Sequence, residues 1–176
     1  LLDKNQIVYR KFKNGLDENT KFFSYSISKS LTAYTVGASF CSGNIHSLDD
    51  KASDYSPLLS NSIFGKSTIR NLLTMSSGAI RPDEDGGSLK GEWGDLTRGF
   101  KSIDEILLSY GIDEANPGSF VYNNSDTNAL MLAVNGKNSF AETFNQKIWL
   151  KSRPQNSSTW LTDIHTRLGK ASPPLN

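Results

Sequence analysis

Apolar positions along this chain follow two different periods, which divide it into one candidate strand and a series of short helices. From Gln6 to Lys13 the side chains separate into two alternating faces, and Asn14-Gly15 follows as a turn signal. A period of two places successive side chains on opposite sides of an extended backbone. This stretch therefore predicts a strand that leaves into a loop.

The longest helical pattern begins at Ser26 and ends near Cys41, with Gly43 placed to close the carboxyl end. Its apolar residues recur every three or four positions, which predicts a helix with one stripe in the core. The predicted stripe consists of Ile27, Leu31, Tyr34, Ala38 and Cys41. Cys41, the single cysteine, is accordingly expected to be a small core residue.

Shorter helices are predicted from capping signals and from the apolar periodicity that follows them. Capping boxes occur at 102–105 and 139–142, and Thr68 precedes a further apolar run that Gly78 ends. Residues 125–134 predict another helix, and the Pro117-Gly118 turn before it leads into a short extended segment. The acidic, glycine-rich stretch 83–91 is predicted to be a long loop.

Composition narrows the possible partners. The chain has 176 residues, 36% of them apolar, and its 19 basic side chains nearly balance 18 acidic ones. We therefore expect a globular protein that binds neither nucleic acid nor an anionic membrane surface. No apolar run is long enough to span a bilayer, and the sequence opens without a leader pattern, which leaves cytoplasm and periplasm both open.

Ser26-Ile27-Ser28-Lys29 is the only Ser-x-x-Lys tetrapeptide in the chain, and it opens the longest predicted helix. Residues three apart share one helical face, so the Ser26 hydroxyl and the Lys29 amine are expected to lie close together. A serine is a good nucleophile only when a neighbouring base removes its proton. The pattern predicts a nucleophile beside its base. The alternative is that Ser26 only caps the helix while Lys29 faces water.

Tyr122-Asn123-Asn124 is the only Tyr-x-Asn in the chain. Alternate residues of an extended segment share a face, so the Tyr122 phenol and the Asn124 amide are expected to approach the same pocket. A phenol near an ammonium group can carry a proton between a nucleophile and a leaving group. The alternative is a half-buried tyrosine followed by a turn-forming pair of asparagines.

In their order along the chain, several stretches resemble the serine β-lactamase-related hydrolases, the family of class C β-lactamases, D-alanyl-D-alanine carboxypeptidases and related esterases. The resemblance extends over roughly residues 5 to 163 and is carried by 22–30, 47–51, 68–78, 117–120 and 122–128. The Ser-Asp-Thr-Asn sequence at 125–128 is most similar to the branch that contains 6-aminohexanoate-dimer hydrolase.

The resemblance implies a role for each of four side chains. Ser26 would be the acyl-accepting nucleophile, Lys29 its partner base and Tyr122 the proton shuttle. Asn124 would be a polar contact to the substrate or to Lys29. The backbone N–H of Ser26 would supply one half of an oxyanion hole. Neither a metal nor an organic cofactor is implied, and the expected partner is a small-molecule ester or amide.

The fold implied is the α+β architecture of β-lactamases and transpeptidases, present here mostly as the helical domain with a fragment of the antiparallel sheet. Residues 1–163 are expected to form a partial domain, and the tail 164–176 is left unassigned. The third motif of the family, a Lys-Thr-Gly-like tripeptide on a carboxyl-terminal strand, does not occur in this sequence. We therefore expect the chain to be a fragment.

Three functions follow from these expectations. The first is a serine hydrolase that cleaves ester or small amide bonds through an acyl-enzyme. The second, with the same chemistry, is a β-lactamase or a D-alanyl-D-alanine carboxypeptidase. The third is a catalytically silent fragment, at most a binding module, which the missing third motif favours. The sequence leaves the oligomeric state open.

Overall fold

A computed structural model of the protein describes residues 2–4, 6–80, 92–110, 117–154, 156–160 and 174–175. The helices are α1 (Ile27–Cys41), α2 (Ile63–Lys66), α3 (Ile69–Leu73), α4 (Glu92–Thr97), α5 (Ile103–Ser109), α6 (Asn124–Asn135) and α7 (Phe140–Phe144). The strands are β1 (Leu2–Asp3), β2 (Gln6–Ile7), β3 (Phe22–Phe23) and β4 (Pro174–Leu175). Turns of 3₁₀-helix occupy Ala52–Asp54, Pro57–Leu59 and Leu150–Ser152, and a π-helical turn occupies Asn145–Trp149. The described part of the chain is thus mostly helical.

The strands form two antiparallel pairs. Strand β1 pairs with β2, with Leu2 opposite Ile7, and β3 pairs with β4, with Phe22 opposite Leu175. The strand predicted over Gln6 to Lys13 is wrong beyond Ile7, where the chain has no regular structure. Side chains on both faces of that stretch are exposed, so no packing against another element supports an extended ladder.

Helix α6 lies at the centre of the described core. It is buried from Ser125 to Val134 and contacts α1, α3, α5 and α7. The helix predicted over 125–134 is confirmed, and it is one residue longer at each end. The largest fully buried apolar side chains of the core are Phe64, Ile45, Leu59, Ile63, Ile69, Leu72, Ile103, Leu107, Met131, Leu132 and Val36.

Helix α1 begins and ends as predicted, but it turns a different face to the core. The buried residues are Ser28, Thr32, Thr35, Val36 and Ser39. The predicted apolar stripe is wrong, because its members are only partly buried (Leu31, Ala38) or exposed (Ile27, Tyr34, Cys41).

Small hydroxyl side chains explain why the polar face of α1 can be buried. Thr35 Oγ1 donates a hydrogen bond to the carbonyl of Leu31 (2.8 Å), and Ser28 Oγ donates to the carbonyl of Tyr25 (2.7 Å). Such bonds to backbone carbonyls three or four residues earlier offset the cost of removing these two hydroxyls from water. Short side chains also let α1 and α6 approach closely.

Capping signals located α3, α5 and α7 correctly, whereas α2 and α4 were not predicted. In α5, the Ser102 N–H donates to Glu105 Oε2 (2.7 Å) and the Glu105 N–H donates to Ser102 Oγ (3.4 Å), which confirms the capping box. Helix α7 begins after Ser139, whose Oγ accepts from the Glu142 N–H.

Helix α3 begins after Thr68, whose Oγ1 accepts from the Asn71 N–H, as predicted. It ends at Leu73, before the predicted stop at Gly78, because Met75 takes a positive φ of 52° that a continuing helix cannot accommodate. The predicted loop over 83–91 lies outside the described residues, as does most of the tail.

Candidate active site

Ser26 lies immediately before α1, at the amino end of the longest helix of the described chain. The preceding residue, Tyr25, has a φ of 45°, a left-handed conformation that costs free energy in a residue with a side chain. The bond from Ser28 Oγ to the Tyr25 carbonyl stabilises this turn. The turn leaves the Ser26 side chain exposed, where a substrate can reach it.

Lys29 lies one helical turn beyond Ser26, and its ammonium reaches back to the serine. Lys29 Nζ donates a hydrogen bond to Ser26 Oγ over 3.2 Å. The spacing of the Ser-x-x-Lys sequence thus brings both side chains together on one face of α1.

Tyr122 is brought to Ser26 by a loop that hydrogen bonds to the segment after α3. Gly118 has a φ of 85°, and its N–H donates to the carbonyl of Ser76 (3.1 Å). The Val121 N–H donates to the carbonyl of Met75 (2.8 Å). These two backbone bonds fix the stretch that ends at Tyr122.

The Tyr122 phenol makes a second side-chain hydrogen bond to Ser26. Its hydroxyl donates to Ser26 Oγ over 2.6 Å, and Lys29 Nζ lies 5.1 Å from the centre of its ring. Burial raises the pKa of this phenol, but hydrogen bonds to Ser26 and Lys29 and the charge of Lys29 lower it. The net result is a pKa below the usual value for tyrosine.

The two asparagines after Tyr122 have different surroundings. Asn123 is buried at the amino end of α6, where its Oδ1 accepts hydrogen bonds from the Ser125 N–H (2.8 Å) and the Tyr110 hydroxyl (3.4 Å). Asn124 is half-buried, and among the described residues no hydrogen bond joins its amide to Ser26, Lys29 or Tyr122. The predicted contact of Asn124 with Lys29 or a substrate therefore stays a prediction.

Sequence reasoning passed over Asp126, which lies four residues after Tyr122 and is buried. Asp126 lies in the first turn of α6 and is 1% exposed. Burial raises the pKa of its carboxyl to about 7, and the Ser77 hydroxyl and backbone N–H offset part of that rise. An acid in the first turn is typical of a solvated residue that interacts with the helix dipole, so only its place in the Ser-Asp-Thr-Asn stretch could have marked it.

The described residues were also compared with the requirements of a metal site and of a membrane span. They contain no group of three or more His, Cys, Asp or Glu side chains placed to hold a metal ion. Their helices are also too short or too polar to traverse a lipid bilayer.

Comparison with solved structures identifies the fold. A protein assigned as 6-aminohexanoate-dimer hydrolase from Bacillus anthracis matches 98% of this chain with a TM-score of 0.75 and 24% identity. A protein assigned as β-lactamase from Bacteroides dorei matches 98% (TM-score 0.66, 17% identity). A class C β-lactamase from Rhodobacter sphaeroides matches 85% (TM-score 0.56, 24% identity). The predicted β-lactamase/transpeptidase-like fold is confirmed.

These matches also show how much of the fold the chain contains. It covers 48%, 51% and 40% of the lengths of the three solved chains, respectively, or about half of each. The part present is mostly helical, with few strands among the described residues, as the sequence predicted.

The class of fold is thus that of the β-lactamases and transpeptidases. The family model for β-lactamase matches residues 1–173, nearly the whole sequence. The chain therefore belongs to the β-lactamase family, which confirms the resemblance inferred from its motifs.

Proposed function

We propose that this chain carries the nucleophile and its proton-transfer groups in a hydrolase that cleaves ester or small amide bonds through an acyl-enzyme. The observation that supports this most strongly is the convergence of two donors on Ser26 Oγ, Tyr122 at 2.6 Å and Lys29 at 3.2 Å. The serine is exposed, so a carbonyl carbon can approach the same oxygen.

Ser26 acts as the nucleophile, Lys29 as its partner base and Tyr122 as the proton shuttle. Deprotonation of either donor turns it into an acceptor for the Ser26 proton, and the lowered pKa of Tyr122 makes its ionised form more accessible. Ser26 Oγ then bonds to the carbonyl carbon while the shuttle gives the proton to the leaving oxygen or nitrogen. Water attacks the resulting acyl-enzyme by the same route in reverse.

The backbone N–H of Ser26 supplies one donor for the oxyanion. Within the described residues, no protein group accepts a hydrogen bond from this N–H. It also lies at the amino end of α1, where the helix dipole favours negative charge. Charge that develops on the carbonyl oxygen is therefore stabilised at this position. Asn124 contributes a polar contact to the substrate.

Labelling with a fluorophosphonate tests the proposal. We expect stoichiometric modification of the purified chain, with mass spectrometry locating the phosphonyl group on the Ser26 peptide. Ser26→Ala is expected to lose the label. Ser30→Ala, an exposed serine one turn further along α1, is expected to retain it. A folded wild-type sample that takes up no label, or takes it up equally with Ser26→Ala, would contradict the proposal.

The class of substrate is tested separately. The fold shared with the Bacillus anthracis protein motivates the choice of an ester or small amide, and the fold shared with the class C β-lactamase motivates the alternative. We expect turnover of a p-nitrophenyl ester without stable labelling by a fluorescent penicillin. The reverse pattern would assign the β-lactam-recognising alternative.

A further inference from the structure

Two exposed aromatic side chains lie beside the candidate nucleophile. Tyr25 directly precedes Ser26 in the chain, and its ring contacts that of Phe23, with 5.9 Å between the two ring centres. Both residues are exposed, and so is Ile27, which directly follows Ser26. A single exposed apolar side chain is ordinary, whereas a contiguous group of them often marks a ligand-binding surface. We refer to Phe23 and Tyr25 as the aromatic pair.

The backbone of Tyr25 adds a second observation. Its φ of 45° lies in the left-handed region, which glycine and asparagine adopt at lower cost than a bulky residue does. Burial offers little compensation for that cost, because the tyrosine is 66% exposed. The conformation is nevertheless held, since the hydroxyl and the N–H of Ser28 both donate to the Tyr25 carbonyl, over 2.7 and 3.2 Å. Sparsely populated conformations of this kind concentrate at functional sites.

The position of the pair relates it to one part of the substrate. In the mechanism proposed above, the carbonyl carbon becomes bonded to Ser26 Oγ, and the leaving oxygen or nitrogen departs with a proton from Tyr122. The acyl group alone stays attached to Ser26. Its first atoms therefore lie beside the residues bonded to that serine, Tyr25 and Ile27, both of which expose large side chains.

We propose that the aromatic pair is the contact surface for an apolar acyl group, so that acylation is faster with acyl chains of several carbons than with acetyl. The inference rests on the function proposed for Ser26. Phe23 is held by the pairing of β3 with β4, where it lies opposite Pro174, and Tyr25 is held by the turn before α1. Rings that are fixed before the substrate arrives provide apolar contact at a small cost in conformational entropy.

Esters that share one leaving group isolate the contribution of the acyl chain. We would react the purified chain with p-nitrophenyl acetate and p-nitrophenyl hexanoate, follow the first turnover by release of p-nitrophenol, and locate the acyl group by mass spectrometry. Dividing each rate by that of the same ester with hydroxide removes the difference in intrinsic reactivity. The corrected rate for hexanoate is expected to exceed that for acetate by about 10-fold, an effect that partial burial of four extra methylene groups can supply.

Variants of the pair test whether its rings cause this preference. Tyr25→Asn removes the ring but suits the left-handed conformation, so the turn before Ser26 is kept. Tyr25→Asn and Phe23→Ser are each expected to reduce the preference for hexanoate to less than about 3-fold, because the acyl chain loses apolar contact. Tyr25→Phe keeps the ring and should keep the preference.

Tyr34→Asn is the matched control. Tyr34 is 67% exposed on the same helix, but it lies about 12 Å further along the helix axis than Ser26. The same substitution there should leave the preference for hexanoate as it is in the wild type.

A binding measurement separates this inference from the proposed function. Ser26→Ala lacks the nucleophile, so it reports contact with the acyl group without any reaction at this position. We would label its tyrosines with ¹³C at Cζ, assign Tyr25 by the NMR signal that Tyr25→Phe loses, and titrate the protein with hexanamide and with acetamide. The Tyr25 signal is expected to shift more with hexanamide, and the Tyr34 signal with neither.

The inference is overturned if hexanamide leaves the Tyr25 signal in place, if it shifts Tyr34 equally, or if Tyr25→Asn keeps the full preference for hexanoate. A wild-type protein that neither ester acylates, while hexanamide still shifts the Tyr25 signal, would contradict the proposed function and leave the contact surface standing. Failure of both measurements would contradict both proposals.

Discussion

The Ser26 hydroxyl accepts hydrogen bonds from two side chains, and one of them, Tyr122, lies 96 residues away in the sequence. Burial raises the pKa of the Tyr122 phenol, but its hydrogen bonds to Ser26 and Lys29 and the charge of Lys29 lower it below the usual tyrosine value. We expect the rate of Ser26 labelling to rise with pH and to level off below the usual tyrosine pKa of about 10.

Tyr122→Phe tests this expectation. The variant keeps the ring over Lys29 but loses the hydroxyl, so we expect labelling to slow by about 100-fold and the rise with pH to disappear. Tyr25→Phe is the matched control, since Tyr25 adjoins the nucleophile and its ring contacts Phe23. A wild-type pH profile in Tyr122→Phe would remove the phenol from the proton path.

Motif spacing could predict that Lys29 lies beside Ser26, whereas the place of Tyr122 beside Ser26 was implied by the family resemblance, because no local pattern joins residues 96 positions apart. Lys29 reaches Ser26 through a single helical turn, which any three-residue spacing on a helix provides. Asp126 could not be predicted in the same way. Its burial depends on how the segment that contains Ser77 packs on α6, and that packing involves residues far apart in the sequence.

Helix α1 shows the same division between local and distant determinants. Its ends follow from residues inside or next to it, and the sequence predicted them. Which face it buries depends on the helix beside it, and α6 presents a surface on which short hydroxyl side chains of α1 fit. The prediction from hydrophobicity alone therefore selected the wrong face of α1 as the buried one. For the same reason it wrongly placed Cys41 in the core.

Two substitutions in α1 distinguish the buried face from the predicted stripe. Val36 is fully buried, so Val36→Ala should lower the free energy of unfolding by about 2 kcal/mol. Tyr34 is 67% exposed, so Tyr34→Ala should change it by less than about 0.5 kcal/mol. Urea unfolding followed by circular dichroism measures both. A larger loss of unfolding free energy for Tyr34→Ala than for Val36→Ala would show that α1 buries the predicted stripe after all.

The end of α6 depends on close backbone contact. A Cβ at Gly136 would lie 1.9 Å from the carbonyl oxygen of Tyr55, a distance that requires one backbone to move. We expect Gly136→Ala to lower the free energy of unfolding by about 2 kcal/mol. Gly37→Ala is the control, because a Cβ there meets nothing within 4 Å and alanine favours the helix by up to about 1 kcal/mol. Equal changes in the free energy of unfolding for the two variants would show that the backbone at Tyr55 moves easily to make room for a Cβ.

In the described chain as a whole, helix α6 and the loop before it belong both to the hydrophobic core and to the candidate active site. Helix α6 supplies the centre of the core, and the loop that leads into it carries Tyr122 to the amino end of α1. Ser26 and Tyr122 are therefore positioned by contacts within this chain, although it covers only about half the length of the solved structures it matches. Loss of global stability should then disrupt the site and the core together.

Asp126 makes that global stability depend on pH. Its folded pKa of about 7 lies above the usual aspartate value of 3.8, so between these values the folded protein retains a proton that the unfolded chain releases. The stabilisation is complete below about pH 4, declines as pH rises, and is lost above about pH 7. One group with this difference in pKa accounts for roughly 4 kcal/mol.

Asp126→Asn removes this titration. From pH 4 to pH 7 the free energy of unfolding of the wild type should therefore fall by roughly 3 kcal/mol relative to that of the variant. Urea unfolding at half-unit pH intervals measures it. Asp49, whose pKa is lowered by its hydrogen bond to Arg70, contributes in the opposite direction, but it is present in both proteins and cancels. Parallel curves for the two proteins would mean that the carboxyl of Asp126 ionises as easily in the folded state as in water.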